Sequence, residues 1–395
     1  MRTTGRLLGK QLEEAMAAFP GVVLTGPRRA GKTYLLRQQF PKAAYVLMED
    51  PEMVARLRSD PRAFVEGLTQ RTTILDEIQN VPEIFPWIRA AIDRAPHQRG
   101  RFILTGSQEA PLMQGVTESM AGRAAILTLL PMSNLEHAKV GMLHGGYPEV
   151  LARPKAATLW FDSYLQTYLE RDVRAVLAIK DLATFRRFLA LVASRHGQIL
   201  NRTDLAAPLG ISVPTVQSWL NVLEATAQIF LVPPYFENLG KRLIKSPKLY
   251  VADAGMACHL LGLQTLAELK RSPFYGAVFE GFVLSEIVKS QVNRGARREV
   301  YYFRDQQGLE VDFIRPHKTA RGAGLQLIEV KAARTVFPHD AANVVRLRSA
   351  WRGKHPGRHL EAAVIYQPGN EASDAGTVLA PGIQALTWKQ LIAGG

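Results

Sequence analysis

Cysteine is nearly absent from this chain of 395 residues, which contains only Cys258. A single cysteine excludes an intramolecular disulfide and argues against a zinc site built from cysteine ligands. Long apolar runs are also missing, since no stretch approaches the roughly 20 residues that a membrane-spanning helix needs. The first twenty residues carry Lys10, Glu13 and Glu14 in a helical pattern that is not that of a signal peptide. We therefore expect a soluble protein of the reducing cytoplasm with no membrane partner.

Acidic residues are scarce relative to basic ones. The chain has 35 Asp and Glu against 49 Lys and Arg, which gives a formal net charge of +14. An excess of this size indicates either a polyanionic partner or a feature of solubility. Nucleic acid is the leading candidate partner, although the charge alone does not decide between these two explanations.

Short apolar runs alternate with helical patterns in the first third of the chain. The predicted strands are 21–25, 44–48, 72–76, 101–105 and 124–127. Runs that are apolar on both faces are typical of strands covered by helices on each side, so the pattern predicts a parallel α/β sheet. The pattern predicts a mostly helical region over 132–265 and again mixed α/β structure in the remainder. We predict three domains, 1–131, 132–265 and 266–395.

A phosphate-binding motif follows the first predicted strand. It reads Gly26-Pro27-Arg28-Arg29-Ala30-Gly31-Lys32-Thr33, followed by Tyr34 at the start of a predicted helix. Gly26 and Gly31 let successive backbone N–H groups point at phosphate oxygens. The helix that follows adds its positive N-terminal end. Lys32 would contact the β- and γ-phosphates, and the Thr33 hydroxyl would bind Mg²⁺. The motif therefore predicts ATP and Mg²⁺ as cofactors.

Two adjacent carboxylates end the third predicted strand, at Asp76 and Glu77. Asp76 would hold Mg²⁺ directly or through water, and Glu77 would act as general base on the attacking water. Ser107, or Thr105, follows the next strand and would sense the γ-phosphate or position water. Arg123 is a candidate arginine finger for a neighbouring subunit's nucleotide, with an ordinary surface arginine as the alternative.

These residues resemble the AAA-type ATPases, specifically a bacterial and archaeal group in which a winged-helix region and a C-terminal domain of unknown function follow the ATPase. Further landmarks of that group are matched by Ala121-Gly122-Arg123, by Gly145-Gly146-Tyr147-Pro148-Glu149 and by Arg171-Asp172. The resemblance implies a P-loop NTPase sheet with an additional strand between the two nucleotide motifs. It also implies homo-oligomers, often hexamers, with nucleotide sites at subunit interfaces.

Residues 201–227 have the pattern of a helix, a tight turn at Gly210 and a second helix capped by Ser212. In a winged helix, the second helix would present Thr215, Gln217 and Ser218 to DNA. The basic segment 240–248 would form a wing on the phosphate backbone; its cations are Lys241, Arg242, Lys245 and Lys248. The alternative is a winged helix used for packing or for oligomer contacts.

The last third of the chain contains an ordered set of acidic residues, with Glu280 on a predicted helix and Asp312, Glu329 and Lys331 on predicted strands. This order resembles the PD-(D/E)XK nuclease pattern. Asp312 and Glu329 would chelate Mg²⁺, Glu280 would support the metal and Lys331 would activate water. Several arginines between 294 and 315 would contact a nucleic-acid backbone. An alternating charged strand face without an active site is the alternative interpretation.

The sequence thus predicts a cytoplasmic, oligomeric ATPase that couples ATP hydrolysis to binding and remodelling of DNA, with forked or branched DNA as the preferred partner. Two alternatives remain open. One is an ATP-gated, Mg²⁺-dependent nuclease, and the other is a nucleotide switch in defence or signalling that acts through protein partners.

Overall fold

The computed structural model describes residues 5–68, 71–106, 119–169, 181–235, 244–319, 322–354, 359–367 and 377–394. Its N-terminal part alternates short strands with helices. The strands are β1 (Gly21–Thr25), β2 (Ala44–Leu47), β3 (Thr73–Asp76), β4 (Phe102–Thr105) and β5 (Ala124–Thr128). The helices are α1 (Gly9–Ala18), α2 (Lys32–Gln39), α3 (Pro51–Ser59), α4 (Pro61–Gly67) and α5 (Phe85–Arg94). Each predicted strand lies within one residue of its observed bounds.

These five strands form one parallel sheet in the order β2-β3-β4-β1-β5. The confirmed parallel sheet fits a P-loop NTPase fold. Because β4 lies between β1 and β3, the loop after β1 and the carboxylates after β3 both lie beside the end of β4. The carboxyl ends of parallel strands share one edge of a sheet, where ligands of α/β folds bind. The topology therefore brings the two predicted nucleotide motifs to the same edge.

Both faces of this sheet are covered, as the apolar runs predicted. Val23, Leu75 and Leu104 pack into one apolar cluster, and Val22 and Ile103 pack into another. Successive side chains of a strand point to opposite faces, so neighbouring residues enter different clusters. Their complete burial fixes the register of the strands and holds their ends in place.

The middle part is mostly helical and contains a small antiparallel sheet. Its helices are α6 (Pro148–Ala152), α7 (Ala157–Tyr164), α8 (Leu182–Ser194), α9 (Arg202–Ala206), α10 (Val213–Ala225), α11 (Ala254–Leu260) and α12 (Leu266–Arg271). Its strands are β6 (Gln198–Ile199), β7 (Ile229–Val232) and β8 (Lys248–Val251), in the order β6-β8-β7. The described part of the helix predicted over 159–179 consists of α7 and a π-helical turn at Leu165–Leu169. The rest of that prediction, including Arg171 and Asp172, lies outside the described residues.

Helices α9 and α10 follow the predicted helix–turn–helix pattern. Gly210 adopts a positive φ of 64° between them, a conformation that glycine tolerates without steric cost. Ser212 caps α10 by accepting a hydrogen bond from the Thr215 backbone N–H at 3.2 Å. The inner face of α10 packs Trp219 edge-on against Phe188 of α8. The helix therefore keeps its polar face toward solvent.

The C-terminal part is built on a six-stranded mixed sheet in the order β13-β14-β12-β11-β10-β9. The strands are β9 (Tyr301–Arg304), β10 (Glu310–Thr319), β11 (Gly322–Lys331), β12 (His359–Tyr366), β13 (Thr377–Ala380) and β14 (Ile383–Thr387). The helices are α13 (Tyr275–Val292), α14 (Ala342–Lys354) and α15 (Trp388–Ala393). Residues of α13 and α15 pack on one face and those of α14 on the other. The long helix α13 is the predicted carrier of Glu280.

One apolar cluster connects the three parts of the chain. It includes Leu130 after the N-terminal sheet, Phe230 and Tyr250 of the small sheet, Phe282 of α13 and Ile328 of β11. The predicted domain limits near 131 and 265 remain predictions, and this cluster spans both. Within the described ranges, no helix is long and apolar enough to cross a membrane.

Candidate nucleotide site and carboxylate cluster

The loop between β1 and α2 has the backbone of a phosphate-binding turn. Gly26 has a φ of 130°, and a Cβ atom there would lie 2.1 Å from the carbonyl oxygen of Leu129, so only glycine fits. Gly31 has a φ of 95° and precedes Lys32, the first residue of α2. The buried Lys32 ammonium donates to the carbonyl oxygens of Gly26 at 2.8 Å and Pro27 at 3.0 Å. The amino group therefore lies across the mouth of the loop.

Asp76 collects three hydroxyl groups at the end of β3. Its carboxylate accepts hydrogen bonds of 2.7 Å from Thr33, Thr105 and Tyr45. Burial and the Asp76 carboxylate raise the pKa of Tyr45, so the phenol stays protonated and donates. The Thr33 hydroxyl and a carboxylate are oxygen ligands of the kind that Mg²⁺ prefers, and the pair fits that metal.

Sequence reasoning offered Ser107 or Thr105 as the polar residue beside the acidic pair. Thr105 is the last residue of β4 and contacts Asp76 directly. Ser107 lies outside the described residues. The insertion of β4 between the two motif-bearing strands is the physical reason for the position of Thr105.

Glu77 directly follows Asp76 in the chain and has an unusual backbone conformation. Its φ of 58° is in the left-handed region, which costs a non-glycine residue of the order of 1 kcal/mol or more and is common at functional sites. Its carboxylate accepts from the Gln79 side chain and lies 4.0 Å from the Arg28 guanidinium. Arg28 of the loop and Glu77 of the acidic pair are thus brought together.

The segment around Pro148 completes the outer wall of the loop. The Cγ atom of Pro148 would lie 3.9 Å from a Cβ atom placed on Gly31. Next to it, the Glu149 carboxylate accepts from Arg29 at 3.1 Å and from the Trp160 indole at 2.6 Å. The group landmark at 145–149 therefore contacts the phosphate loop, a contact that its separation in sequence did not indicate. Tyr34, also named from sequence, is 59% exposed.

Arg6 supports the loop from beneath, and sequence analysis did not find it. Its guanidinium donates to the carbonyl oxygens of Ala30 at 2.7 Å and Leu130 at 2.5 Å. It also forms an ion pair of 2.9 Å with Glu136, and both side chains are almost fully buried. Glu136 in turn accepts from the Asn293 amide at 2.8 Å. A chain of buried polar contacts thus joins the phosphate loop to the residue that follows α13.

The same helix makes further polar contacts with the segment after β5. The side-chain amide oxygen of Asn293 accepts from the Leu130 backbone N–H at 3.0 Å. Glu286, about two helical turns earlier, accepts from the Asn134 backbone N–H at 2.7 Å and is buried. Burial raises the pKa of Glu286, although Lys289 beside it acts in the opposite direction. Helix α13 and the residue after it therefore provide hydrogen-bond acceptors for the backbone N–H groups of Leu130 and Asn134.

Arg123 is paired within its own chain. Its guanidinium makes a two-point contact with Asp93, with distances of 2.6 and 3.0 Å. The hydrogen bond from Arg123 lowers the pKa of the exposed Asp93 carboxyl. To act on a neighbouring subunit, this side chain has to leave Asp93.

The helix–turn–helix residues named from sequence lie on or near the exposed face of α10. Thr215 shares a 2.8 Å hydrogen bond with Ser212, the Gln217 amide donates to Asn221 at 2.5 Å, and the Ser218 hydroxyl donates to the Pro214 carbonyl oxygen at 3.1 Å. Their polar atoms are thus engaged locally. Lys245 is exposed, and Lys241 and Arg242 lie outside the described residues.

The prediction that Lys248 belongs to an exposed basic wing is wrong. Lys248 begins β8, its side chain is only 3% exposed, and its ammonium contacts Glu280 at 3.1 Å, Glu310 at 2.6 Å and Asp312 at 3.5 Å. Burial disfavours this ammonium, but Tyr250 and the surrounding carboxylates outweigh that effect and raise the pKa of Lys248 well above its usual value. The alternation of the strand, which a charge count ignores, places this lysine in the interior.

The arginines expected to contact nucleic acid between 294 and 315 do not form one free surface. Arg315 is buried and donates to Gln326 at 2.8 Å, and burial lowers its pKa to about 10. Arg304 pairs with Glu310 at 3.0 Å and Arg298 with Glu224 at 3.1 Å. Burial removes Arg315 from any phosphate-contacting surface, whereas Arg298 and Arg304 stay partly exposed and their contact with phosphate remains a prediction.

Around Lys248, the four predicted nuclease residues lie on neighbouring elements. Glu280 comes from α13, Asp312 from β10, and Glu329 and Lys331 from β11, where their side chains form a 2.8 Å ion pair. Burial, with the nearby Asp312, raises the pKa of Glu280 to about 7 and that of Glu329 to about 8. We call Glu280, Glu310, Asp312 and Glu329 the carboxylate cluster.

Comparison with known proteins matches residues 18–138 to an AAA domain, and residues 135–267 and 275–386 to two domains of unknown function, DUF8612 and DUF4143. The uncharacterized proteins Rv2008c of Mycobacterium tuberculosis and Mb2031c of Mycobacterium bovis are each 36% identical over 314 residues, which cover 76% of this chain and 69% of theirs.

Among solved structures, a Walker-type ATPase of Pyrococcus abyssi covers 64% of this chain and 94% of its own, at 18% identity and a TM-score of 0.47. A variant of RuvB from Thermotoga maritima covers 57% of this chain and 89% of its own, at 16% identity and a TM-score of 0.28.

Proposed function

This chain belongs to the family of the two mycobacterial proteins and carries an AAA-type P-loop ATPase domain; from that premise we propose that it is an oligomeric ATPase that couples ATP hydrolysis to binding and remodelling of forked or branched DNA. The observation that carries the proposal is the Asp76 carboxylate, which joins the hydroxyl of the phosphate loop to that of β4. The DNA part rests on the helix–turn–helix arrangement and the net charge of +14.

At the nucleotide, we assign roles by position. The backbone of the loop and the Lys32 ammonium bind the phosphates, and Thr33 and Asp76 hold Mg²⁺. The metal supplies charge that neutralises the transferred phosphoryl group. Glu77 orients and deprotonates water, and Thr105 fixes the Asp76 carboxylate from the side of β4. The contact between Glu77 and Arg28 supports this arrangement because it connects the base to the loop.

Arg123 serves in this proposal as an arginine finger between subunits of a homo-oligomer, with the hexamer as the expected form. Its partner Asp93 is exposed, and both groups are at the surface. A solvent-exposed pair contributes roughly 0–1 kcal/mol, so release of the arginine toward a nucleotide on another subunit has a small energetic cost.

For the middle part, we propose a winged helix that contacts DNA. The chain order of α8, β6, α9, α10 and the hairpin β7–β8 supports this assignment. Thr215, Gln217 and Ser218 would meet base edges or phosphates after exchanging their local hydrogen bonds, and Lys245 would contact the backbone together with Lys241 and Arg242.

An ATPase assay with single-stranded, duplex, forked and four-way-junction DNA tests the proposal. We expect stimulation that is strongest with the forked or junction substrates. The Lys32→Ala variant is expected to lose hydrolysis and keep DNA affinity, because in this proposal the lysine contacts the nucleotide and not the DNA. Absence of stimulation by every substrate would refute the DNA part and leave the ATP site standing.

Salt titration of DNA binding separates phosphate contacts from a mere solubility charge. Each contacted duplex phosphate is expected to lower log K by about 0.9 per tenfold rise in salt. The Lys245→Ala variant should reduce this slope by about one contact. A flat salt profile for the wild-type protein would contradict the proposed backbone contacts.

A second candidate is a nucleotide switch that acts through protein partners. The observation that favours it is the composition of α10, since Val213–Ala225 contains no lysine or arginine. A DNA-facing helix usually carries cations, whereas a protein-facing helix does not need them. Tight ATP binding with slow turnover and no response to DNA would support the switch over the DNA-remodelling ATPase.

For the C-terminal part, we propose a PD-(D/E)XK-like arrangement without proposing cleavage. Support comes from Glu280 on a helix beside Asp312, Glu329 and Lys331 on adjacent strands. Fold similarity does not determine activity, and the position of Lys248 argues against a metal-dependent nuclease centre.

A further inference from the structure

Lys248 reaches the carboxylate cluster from another part of the chain. It lies on β8 of the small antiparallel sheet, whereas its acidic partners lie on α13 and β10. An ammonium group has three hydrogen-bond donors, and Lys248 has three carboxylate partners, Glu280, Glu310 and Asp312. Its donor capacity is therefore matched by the cluster.

The hairpin that delivers this lysine is fixed against the C-terminal sheet. The Tyr235 backbone N–H donates to the Tyr302 carbonyl oxygen at 2.7 Å, and the Ile244 N–H donates to the Arg304 carbonyl oxygen at 3.2 Å. The Tyr302 hydroxyl also donates to the carbonyl oxygen of Ser246. Backbone contacts on both sides of the hairpin thus hold Lys248 in place.

Several carboxylate oxygens of the cluster accept hydrogen bonds from protein donors. Glu280 Oε1 accepts from Lys248 and from the Tyr250 hydroxyl at 2.5 Å, and Asp312 Oδ2 accepts from the Val330 backbone N–H at 2.8 Å. Glu329 Oε1 accepts from Lys331. Mg²⁺ requires oxygen ligands at about 2.0–2.1 Å in near-octahedral geometry. In the part of the chain that the structure describes, no three acidic, histidine or cysteine side chains are placed to share a metal ion. The cluster as arranged does not fit Mg²⁺.

One buried oxygen of the cluster differs from these. Glu329 Oε2 is buried and has no hydrogen-bond partner among the described residues. A cation added to the cluster would therefore find an unpaired acceptor at Glu329 Oε2. The ammonium of Lys248, which contacts the other three carboxylates of the cluster, would repel such a cation.

We propose that Lys248 takes the place of a divalent cation in the carboxylate cluster. By binding the Lys248 ammonium, the cluster holds the hairpin β7–β8 against the C-terminal sheet. It binds no divalent metal while Lys248 occupies this position. This inference does not depend on the proposed ATPase or DNA activities, because it concerns neither the nucleotide nor the exposed face of α10.

Binding of Mn²⁺ to the full chain, without nucleotide or DNA, tests this proposal by electron paramagnetic resonance. The proteins compared are the wild type, Asp312→Asn, Lys248→Met and the double variant. Lys270→Met is the matched control, since Lys270 is an exposed lysine and its replacement removes the same charge. Circular dichroism establishes that each variant is folded.

The expected result is that wild type and Asp312→Asn bind the same amount of Mn²⁺. Lys248→Met is expected to bind one additional Mn²⁺ per chain, and the double variant is expected to lose it. Lys270→Met should match the wild type. Mn²⁺ should also raise the melting temperature of Lys248→Met more than that of the wild type.

Two results would overturn the proposal. One is a wild-type Mn²⁺ site that Asp312→Asn removes, because the metal would then coexist with Lys248. The other is a folded Lys248→Met protein that gains no Mn²⁺. If Lys248→Met does not fold, the comparison of wild type with Asp312→Asn decides alone, since equal binding supports the proposal and unequal binding overturns it.

Discussion

The buried arginine beneath the phosphate loop offers a quantitative test of the structure. Replacing Arg6 with methionine keeps an unbranched side chain but removes its ion pair with Glu136 and its bonds to the Ala30 and Leu130 carbonyl oxygens. The Glu136 side chain is fully buried, so its charge would lose its principal cation. Removing one partner of a buried pair costs about 3–5 kcal/mol because the other charge stays uncompensated.

That free energy corresponds to a large shift in thermal unfolding. At about 2–4 °C per kcal/mol for a unit of 150–250 residues, the melting temperature is expected to fall by roughly 6–20 °C. ATP affinity should fall as well, since the Ala30 carbonyl within the loop loses its donor. Differential scanning fluorimetry measures the first effect, and binding of a fluorescent ATP analogue below the melting temperature measures the second.

Two further variants isolate the cause. Lys10→Met removes an exposed cation nearby, which pairs with Glu14 at 3.7 Å, and should cost no more than about 1 kcal/mol. Adding Glu136→Gln to Arg6→Met removes the stranded charge and keeps an acceptor for the neighbouring donors, so part of the lost stability should return. An Arg6→Met protein as stable as the Lys10→Met protein would refute the reasoning.

Two further predictions concern the base and a buried histidine. Glu77→Gln should keep ATP binding and slow hydrolysis by about 10²–10⁴, the usual contribution of a general base, as measured by single-turnover kinetics; an unchanged rate would remove Glu77 from the mechanism. Burial lowers the pKa of His196 to about 4, whereas an unfolded histidine has a pKa near 6.5. Because the unfolded chain then binds a proton that the folded chain does not, the free energy of unfolding should fall by up to about 3 kcal/mol as the pH drops from about 6.5 toward 4. Acid unfolding followed by circular dichroism should show a smaller loss in His196→Gln, and an equal loss would contradict this assignment.

The N-terminal sheet was predictable from sequence because its strands are buried on both faces and so consist of short apolar runs. The two nucleotide motifs were predictable because each follows such a strand directly. Their proximity needed the strand order, since β4 separates β1 from β3. Tyr45 shows the limit of this reasoning, because a tyrosine on β2 gives no sign in sequence that it donates to Asp76.

Contacts between segments that are distant in the chain could not be predicted from the sequence. Arg6 and Glu136 are 130 residues apart, and neither lies in a recognisable pattern. Lys248 was misplaced for a different reason: a count of cations in a segment cannot distinguish a strand residue that faces the interior from a loop residue that faces water. Strand alternation together with the docking of the hairpin decides its position, and only the folded chain provides both.

Helix α13 has a consequence for how such a protein is divided or recombined. Asn293 and Glu286 accept from the backbone of Leu130 and Asn134, and Asn293 also donates to Glu136. A buried group that loses such a partner costs about 1–3 kcal/mol. The ATPase part therefore gains stability from residues encoded 152 and 163 residues after the backbone groups that they contact. We therefore expect exchange of the C-terminal part between relatives to preserve the stability of the ATPase part only when the incoming segment brings an equivalent helix.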